Sequence, residues 1–408
     1  MAITIQSSPA PYSSMHDSLW YVSSSSNVGQ TSFKFVYDVY VNGSQVSRTK
    51  IFPAPSAEGS YGVFNASPMV RAFATNYFEP SGSSILQASN NKLRVDATIQ
   101  VGEEYVSGGN MVTLTNLVSG ALSAYNYYQP MFADVLYTTS ETPLVLSDYY
   151  DNLLIENFSD EWLTERDVNE IDIEHGDNFY ATYFRKTAGT YYAKIDVLNE
   201  AGSVVDYASG GITLSGEMNL FNFGAANINT FVGRELVKEY SYGYNVYLGI
   251  NGAITTKLKF TQKCYPKYRQ YNLHFLNRLG GWDTMKFALV NKRSTDFTRS
   301  NYRKSSWQLS GNKMTNVDSF NRFNETTMNY SIQQKFTYHL ISDWVSGENY
   351  SWLEQLIASS IVYLEFQGAY FPVTINTTNF KEKTETADKL FNFEIDVEVS
   401  KYINSQYR

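Results

Sequence analysis

Phe33–Val41 (FKFVYDVYV), the turn Asn42-Gly43 and the return Gln45–Phe52 set out a strand, a turn and a second strand. Apolar and polar residues alternate, and Asn-Gly between two such runs is the strongest short-range signal for a β-hairpin. Further along, Tyr191–Leu198 (YYAKIDVL) alternates in the same way, turns through Asn199–Gly202 and returns through Ser203–Ala208. The two stretches also continue alike. Gly62–Phe73 (GVFNASPMVRAF) and Leu220–Phe231 (LFNFGAANINTF) each place a short run of small residues after a Phe-Asn pair. Strand-like sequence follows both, Leu93–Val101 and Tyr244–Ile250. Strand, turn, strand, short helix, strand is a supersecondary unit, and its recurrence predicts two related β-domains in tandem.

Working outward, 408 residues exceed one ordinary core and predict two to three domains. The 33 Tyr and 25 Phe, with abundant Gly, Ser, Thr and Asn, suit a turn-rich β protein rather than a helical bundle. The fold class expected is mainly β: tandem β-sandwich-like domains, then a C-terminal β-rich domain carrying one short helix. Residues 1–31 read as an extended N-terminal arm, 32–130 as the first β-domain, 131–262 as the second and 263–408 as the third. In the third domain, Ser346 is placed to cap a helix near 347–359 that shares Tyr350, Leu353 and Ile357 on one face, with Leu356 beside it. Strands are expected at Ile361–Phe366, Tyr370–Asn376 and Leu390–Val399. Pro372 suggests an edge position for the second of these. The last alternates cleanly through Phe391, Phe393, Ile395, Val397 and Val399.

One cysteine, Cys264, cannot form an internal disulfide framework. No basic region with an apolar run opens the chain, and no apolar run reaches the length of a membrane span, so export and membrane insertion are not expected. His16, His175, His274 and His339 sit in no HxH or HExxH arrangement. His274 reads as a packed or pore-facing strand residue. Asp172–Asp177 and Asp167–Asp172 bring oxygen ligands close together, but Ile171 replaces a ligand and the turn glycine is missing, so a solvated acidic loop is preferred to a calcium site. No phosphate loop, dinucleotide fingerprint or GxSxG occurs, and Gly280-Gly281 reads as a tight turn between strands. No enzyme, cofactor or metal is expected.

Charge is unevenly placed within a net −8. Residues 151–177 carry ten acids against Arg166, and residues 263–304 carry ten bases against Asp283 and Asp296. Three readings stay open: two solvated faces, complementary surfaces meeting between copies in a ring, or contact with a nucleic-acid backbone through bases interleaved with Tyr265, Tyr268, Tyr271 and Tyr302. The second reading names Asp160, Glu161, Glu165, Asp167, Asp172 and Glu174 as one surface. Lys267, Arg269, Arg278, Lys292, Arg293 and Arg299 form the other.

Three stretches carry a resemblance: FKFVYDVYVNG with YGVFNASPMVRAF, Lys263–Ser294 with its NRLGGWD core (Asn277–Asp283), and the closing DWVSGENYSWLEQLIASS, YFPVTINTTNFKEKT and LFNFEIDVEVS. Together they resemble virion structural proteins of the tail or neck–tail region of crAss-like or related tailed phages that infect Bacteroidetes. The resemblance implies a homo-oligomeric ring or adaptor that meets other virion proteins, is assembled in the host cytoplasm, and allows DNA passage through a lumen. It carries no catalytic residues. A receptor- or glycan-binding tail-tip or fibre-docking module is the alternative, with Tyr125, Tyr127, Tyr128, Tyr149 and Tyr150 as stacking candidates. A β-fold polysaccharide hydrolase is a third, without any conspicuous carboxylate pair.

Overall fold

The computed structural model describes residues 3–125 and 161–404, apart from 10–11, 16–17, 74–77, 79, 81, 90–93, 170, 186–188, 217, 251–252, 264–266, 278, 317–326, 347–348, 378–389 and 402. Two compact units form: residues 1–264 with 275–284, and residues 265–274 with 285–408. The protein is mainly β, with tandem sandwiches in the first unit and a β-rich second unit carrying a short helix.

The first sandwich opens with β1 (Ile3–Ser7), β2 (Tyr12–Ser14) and β3 (Trp20–Ser25). The hairpin β4 (Lys34–Val41) and β5 (Ser44–Ile51) follows, then β6 (Ala54–Ser56), β7 (Gly59–Asn65) and helix α1 (Ser67–Arg71). After β8 (Leu86–Ser89), the long hairpin β9 (Arg94–Ser107) and β10 (Asn110–Tyr125) closes it. One sheet runs β1-β3-β7-β6 and the other β2-β10-β9-β4-β5. Asn42 and Gly43, both at positive φ, make the turn that the Asn-Gly pair predicts. Alternation sends Phe35, Tyr37, Val39 and Val41 inward, where Tyr37 stacks on Phe64 at 4.7 Å. Desolvation pushes the Tyr37 hydroxyl up to about 12.

The second sandwich repeats the plan. It contains β11 (Glu161–Trp162), β12 (Ile171–Ile173), β13 (Tyr180–Phe184), the hairpin β14 (Tyr191–Leu198) and β15 (Val204–Ile212), and β16 (Met218–Asn222). Helix α2 (Ala225–Val232), β17 (Gly243–Ile250), β18 (Ala253–Ile254) and β19 (Leu258–Gln262) complete it. Its sheets run β11-β13-β16-β8 and β12-β19-β17-β14-β15, with β18 on β17. Apart from β18, the two sandwiches share one sheet order. Even the unusual parallel pairing recurs, β2 on β10 and β12 on β19. The edge beside β7 is filled by the local β6. The edge beside β16 is filled by β8, a segment from the first repeat, so Ile85 is buried in the second core.

The Phe-Asn pair explains why the helix follows at the same place twice. The Asn65 carboxamide oxygen accepts from the Leu19 and Ser67 amides, each at 3.0 Å. The Asn222 oxygen accepts from the Phe179 and Gly224 amides at 3.2 and 3.0 Å. Backbone bonds from Ala66 to Leu19 and from Phe223 to Phe179 run alongside. In each repeat, one side chain joins the entry to a strand (β3 or β13) to the start of the helix.

The N-terminal expectation needs correction. The described residues between 3 and 25 are not an arm: β1 pairs with β3, β3 with β7 and β2 with β10. Ile3, Met15, Leu19 and Tyr21 are buried because Ser-rich spacers alternate with single apolar anchors. The expected boundary near 131 lies outside the described residues.

The second unit draws on β20 (Tyr271–Leu276) and β21 (Trp282–Phe287), whose connecting turn, 275–284, groups with the first unit. It adds β22 (Lys292–Arg303), the small hairpin β23 (Trp307–Ser310) and β24 (Lys313–Asn316), and β25 (Thr327–Ser346). Helix α3 (Tyr350–Ala358), β26 (Val362–Phe366), β27 (Ala369–Ile375), β28 (Leu390–Val399) and β29 (Ile403–Asn404) follow. Its sheet runs β21-β20-β26-β27-β28-β25-β22, with β29 on β25. Phe393, Ile395, Val397 and Val399 are buried in the alternation expected of β28.

Two local expectations fail here. Asn349, not Ser346, precedes the helix, and Ser346 is the last residue of β25. The helix buries Trp352, Leu353, Gln355 and Leu356, while Ile357 is only half-buried. Pro372 lies in an interior strand, tolerated where pairing with β28 starts only at Val373, while its carbonyl accepts from the Ser400 amide at 2.9 Å.

Replacing Asn222 by Ala should leave two buried amides without their acceptor and cost about 3 kcal/mol, whereas Asn65→Ala, at a half-exposed position, should cost about 1 kcal/mol. Calorimetric melting of the two variants checks this ranking; equal losses would refute it.

Candidate functional site

A long, largely solvated ribbon of the second unit is formed by β22 and β25. Lys292 pairs with His339, Arg293 with Tyr338, Thr295 with Phe336, Phe297 with Gln334 and Arg299 with Ile332. Strand alternation therefore puts Arg293, Phe297, Arg299, Phe336 and Tyr338 on one face. The Arg293 guanidinium lies 4.0 Å from the Phe336 ring centroid and 6.0 Å from that of Tyr338, and Arg299 lies 5.7 Å from Phe297. Lys292, Arg293, Phe297 and Arg299 are exposed. On the other face, Tyr302 approaches Tyr330 at 6.3 Å, both open to solvent. Arginine stacked on an aromatic ring keeps its in-plane donors free to meet carboxylates or phosphates edge-on.

The base of the ribbon is pinned by charge. Lys335 pairs with Glu398 on β28, and the Asn376 amide donates to the same carboxylate at 3.0 Å. Together they hold the Glu398 carboxyl below its ordinary 4.5. Lys267 lies over Tyr268 and Arg269 over Phe366, at 5.7 and 4.2 Å.

In the first unit, the acidic segment is only partly available. Glu165, Asp167, Asp172 and Glu174 are half-exposed. Asp167 accepts from the Asn169 amide at 2.9 Å, and Asp177 accepts from the Glu174 amide at 2.9 Å, so both acids shape turns. Lys263 pairs with Asp172 at 3.5 Å, joining the acidic and basic segments within this unit. Glu161 starts β11, while Asp160 and Arg278 lie outside the described residues, as do Tyr127, Tyr128, Tyr149 and Tyr150 and the side chain of Tyr125.

Arg166, counted in the sequence as the lone base among acids, has a different role. Its guanidinium donates to the Thr284 carbonyl at 2.8 Å and lies 5.6 Å from the Phe179 ring centroid. Burial pulls its pKa down, opposed by Asp283, Asp172 and Asp167.

Beside it stands the NRLGGWD turn. The Asn277 amide donates to the Leu163 carbonyl at 2.6 Å and to Asp283 at 2.9 Å, and its oxygen accepts from the Gly281 amide at 2.8 Å. Thr164 donates to Asp283 at 3.1 Å, and the Trp282 amide donates to Thr182 at 2.8 Å. Gly280 has φ +80°, and a Cβ on Gly281 would sit 2.4 Å from the Leu163 carbonyl oxygen. Among the described residues, Asn277, Thr182 and Thr164 bind backbone around this turn and hold it in place.

His274 is fully buried and 3.0 Å from Glu365, with the Tyr370 hydroxyl 3.4 Å from the other oxygen of that carboxylate. It is a packed strand residue. Among the described residues, no group of three or more His, Cys, Asp or Glu side chains is gathered to hold a metal ion, and no helix is long and apolar enough to cross a membrane. No protein-family model and no curated protein sequence matches the chain.

The Glu398 pair yields a signed pH dependence. Because its folded pKa is depressed, its stabilisation is complete above about 4.5 and is lost as pH falls through the lower folded value. Carbon-13 titration of the Glu398 carboxyl should give a midpoint below 4.5 that rises in Lys335→Met. An unchanged midpoint would remove Lys335 as the cause.

Proposed function

We propose that this protein is a structural component of a bacteriophage virion, forming a homo-oligomeric ring or adaptor in the tail or neck–tail assembly. The observation that carries the reading is the solvated Arg–aromatic face of β22–β25, set on a chain whose net charge is −8. Arg and aromatic side chains are enriched where proteins meet, and a basic surface on an acidic chain favours association with its own kind. The duplicated sandwich adds a scaffold that repeats a shape. The resemblance of the three sequence stretches supplies the virion setting, assembly in the host cytoplasm and neighbouring virion proteins.

A receptor- or glycan-binding tail-tip module is the competing reading, favoured by the exposed Tyr302 and Tyr330 rings, which offer sugars a stacking surface.

Particle mass in solution separates these readings. The wild-type chain should form a closed oligomer at low salt that loosens as salt screens exposed charge. Arg293→Glu with Arg299→Glu should weaken assembly about tenfold, the scale of a single central interface residue. Intact oligomers of that variant at moderate salt would count against the basic face. A wild-type monomer that binds glycans would favour the tail-tip module.

A further inference from the structure

Between β22 and β25, the hairpin β23–β24 forms a two-stranded sheet of its own. Trp307 pairs with Asn316 and Leu309 with Met314, so Trp307, Leu309 and Met314 share one face. Gln308, Ser310, Lys313 and Thr315 take the other. The apolar face is open to solvent, with Trp307 53%, Leu309 65% and Met314 57% exposed. A two-stranded hairpin is marginally stable in water at best, and three large apolar side chains on one bare face add to the cost. The hairpin is basic: Arg303 and Lys304 precede it, Lys313 sits on its other face, and no acid occurs from Phe297 to Asn316. Its cover should be apolar at the centre and anionic at the rim.

The first unit presents one such surface. The loop after α2 exposes Tyr240 (82%) and Tyr242 (47%). The Gln262 amide donates to the Tyr242 carbonyl at 2.8 Å, and the adjoining Lys263 amide donates to Ile173 at 3.0 Å. Gln262 also reaches the His175 ring at 3.3 Å. These bonds hold the two tyrosines beside β12 and the turn after it, which carry Asp172, Glu174 and Asp177. With Glu239, these acids outnumber Lys238 and Lys263 there.

We propose that the β23–β24 hairpin of one copy seats Trp307, Leu309 and Met314 on the Tyr240–Tyr242 loop of a second copy. Arg303 and Lys304 then face Asp172 and Glu174 across the rim. The inference rests on the homo-oligomeric reading above and names its contact. Donor and acceptor are different surfaces, so the junction is head to tail. Such junctions generate rings when the rotation closes and filaments when it does not.

Sedimentation velocity of the full chain tests this with two variants, Trp307→Ser/Leu309→Ser and Tyr240→Ser/Glu174→Lys. All four positions are at least partly exposed, so melting midpoints should match the wild type. Each variant should raise the concentration needed for assembly about tenfold or more. An equimolar mixture of the two should give a heterodimer and nothing larger, because only one intact donor meets one intact acceptor. If both variants assemble like the wild type, this contact is wrong while the homo-oligomeric reading stands. A mixture that stays monomeric would also overturn the pairing. A wild type that is monomeric at high micromolar concentration would overturn both.

Discussion

A single carboxamide, used once in each repeat, is the interaction on which the first unit depends. Asn65 and Asn222 each follow a buried Phe at the end of a strand, and each accepts from two backbone amides that the fold leaves without partners. One of those amides starts the neighbouring strand segment, and the other starts the helix. Removing such amides from water is tolerable only because the acceptor is held in place, here by the strand that ends at the Asn itself. The clamp fixes where one sheet stops and the crossing helix begins. The hairpins β4–β5 and β14–β15 can then lie over the same positions in both sandwiches.

The NRLGGWD turn works on the same principle. Asn277 and Asp283 form a polar set with Leu163, Thr164 and the turn backbone, and Gly281 admits the Leu163 carbonyl where any side chain would collide. These polar groups are spent on holding backbone in place. This is the physical reason that so specific a stretch of sequence points to architecture. The ribbon β22–β25 is the opposite case: its guanidinium groups lie over aromatic rings, and Arg293, Phe297 and Arg299 remain open to solvent. Function, on this reading, sits where the side chains are least used internally.

Much of the fold was legible because it rests on local signals. The alternation in Phe33–Val41 and Tyr191–Leu198, the Asn-Gly turn and the repeated Phe-Asn pair each act over a few residues, and together they predicted the duplication. The β28 alternation was equally plain. Residues 3–25 were misread because short strands separated by Ser-rich spacers carry too little periodicity to distinguish from an extended arm. Pro372 was misread as an edge residue because its missing amide matters only where a ladder bond is needed, and the pairing register decides that. Ser346 looked like a helix cap because the sequence does not show that β25 continues to it.

The candidate surface was legible only as composition. The sequence placed bases in 263–304 and acids in 151–177 but could not sort them by burial. Arg166 went to a half-buried site against the Thr284 carbonyl, Asp172 to a pair with Lys263, and Arg293 and Arg299 to exposed positions over aromatic rings. By itself, the sequence determined the β class, the repeated unit and its turns, because these follow from side-chain period and backbone preference within a few residues. Only the tertiary structure decided that β8 completes the second sandwich, that the N-terminal strands belong to the first, and which charges face water. Those outcomes depend on which edges and pockets remain unfilled after the chain has packed, and residues distant in sequence settle that competition.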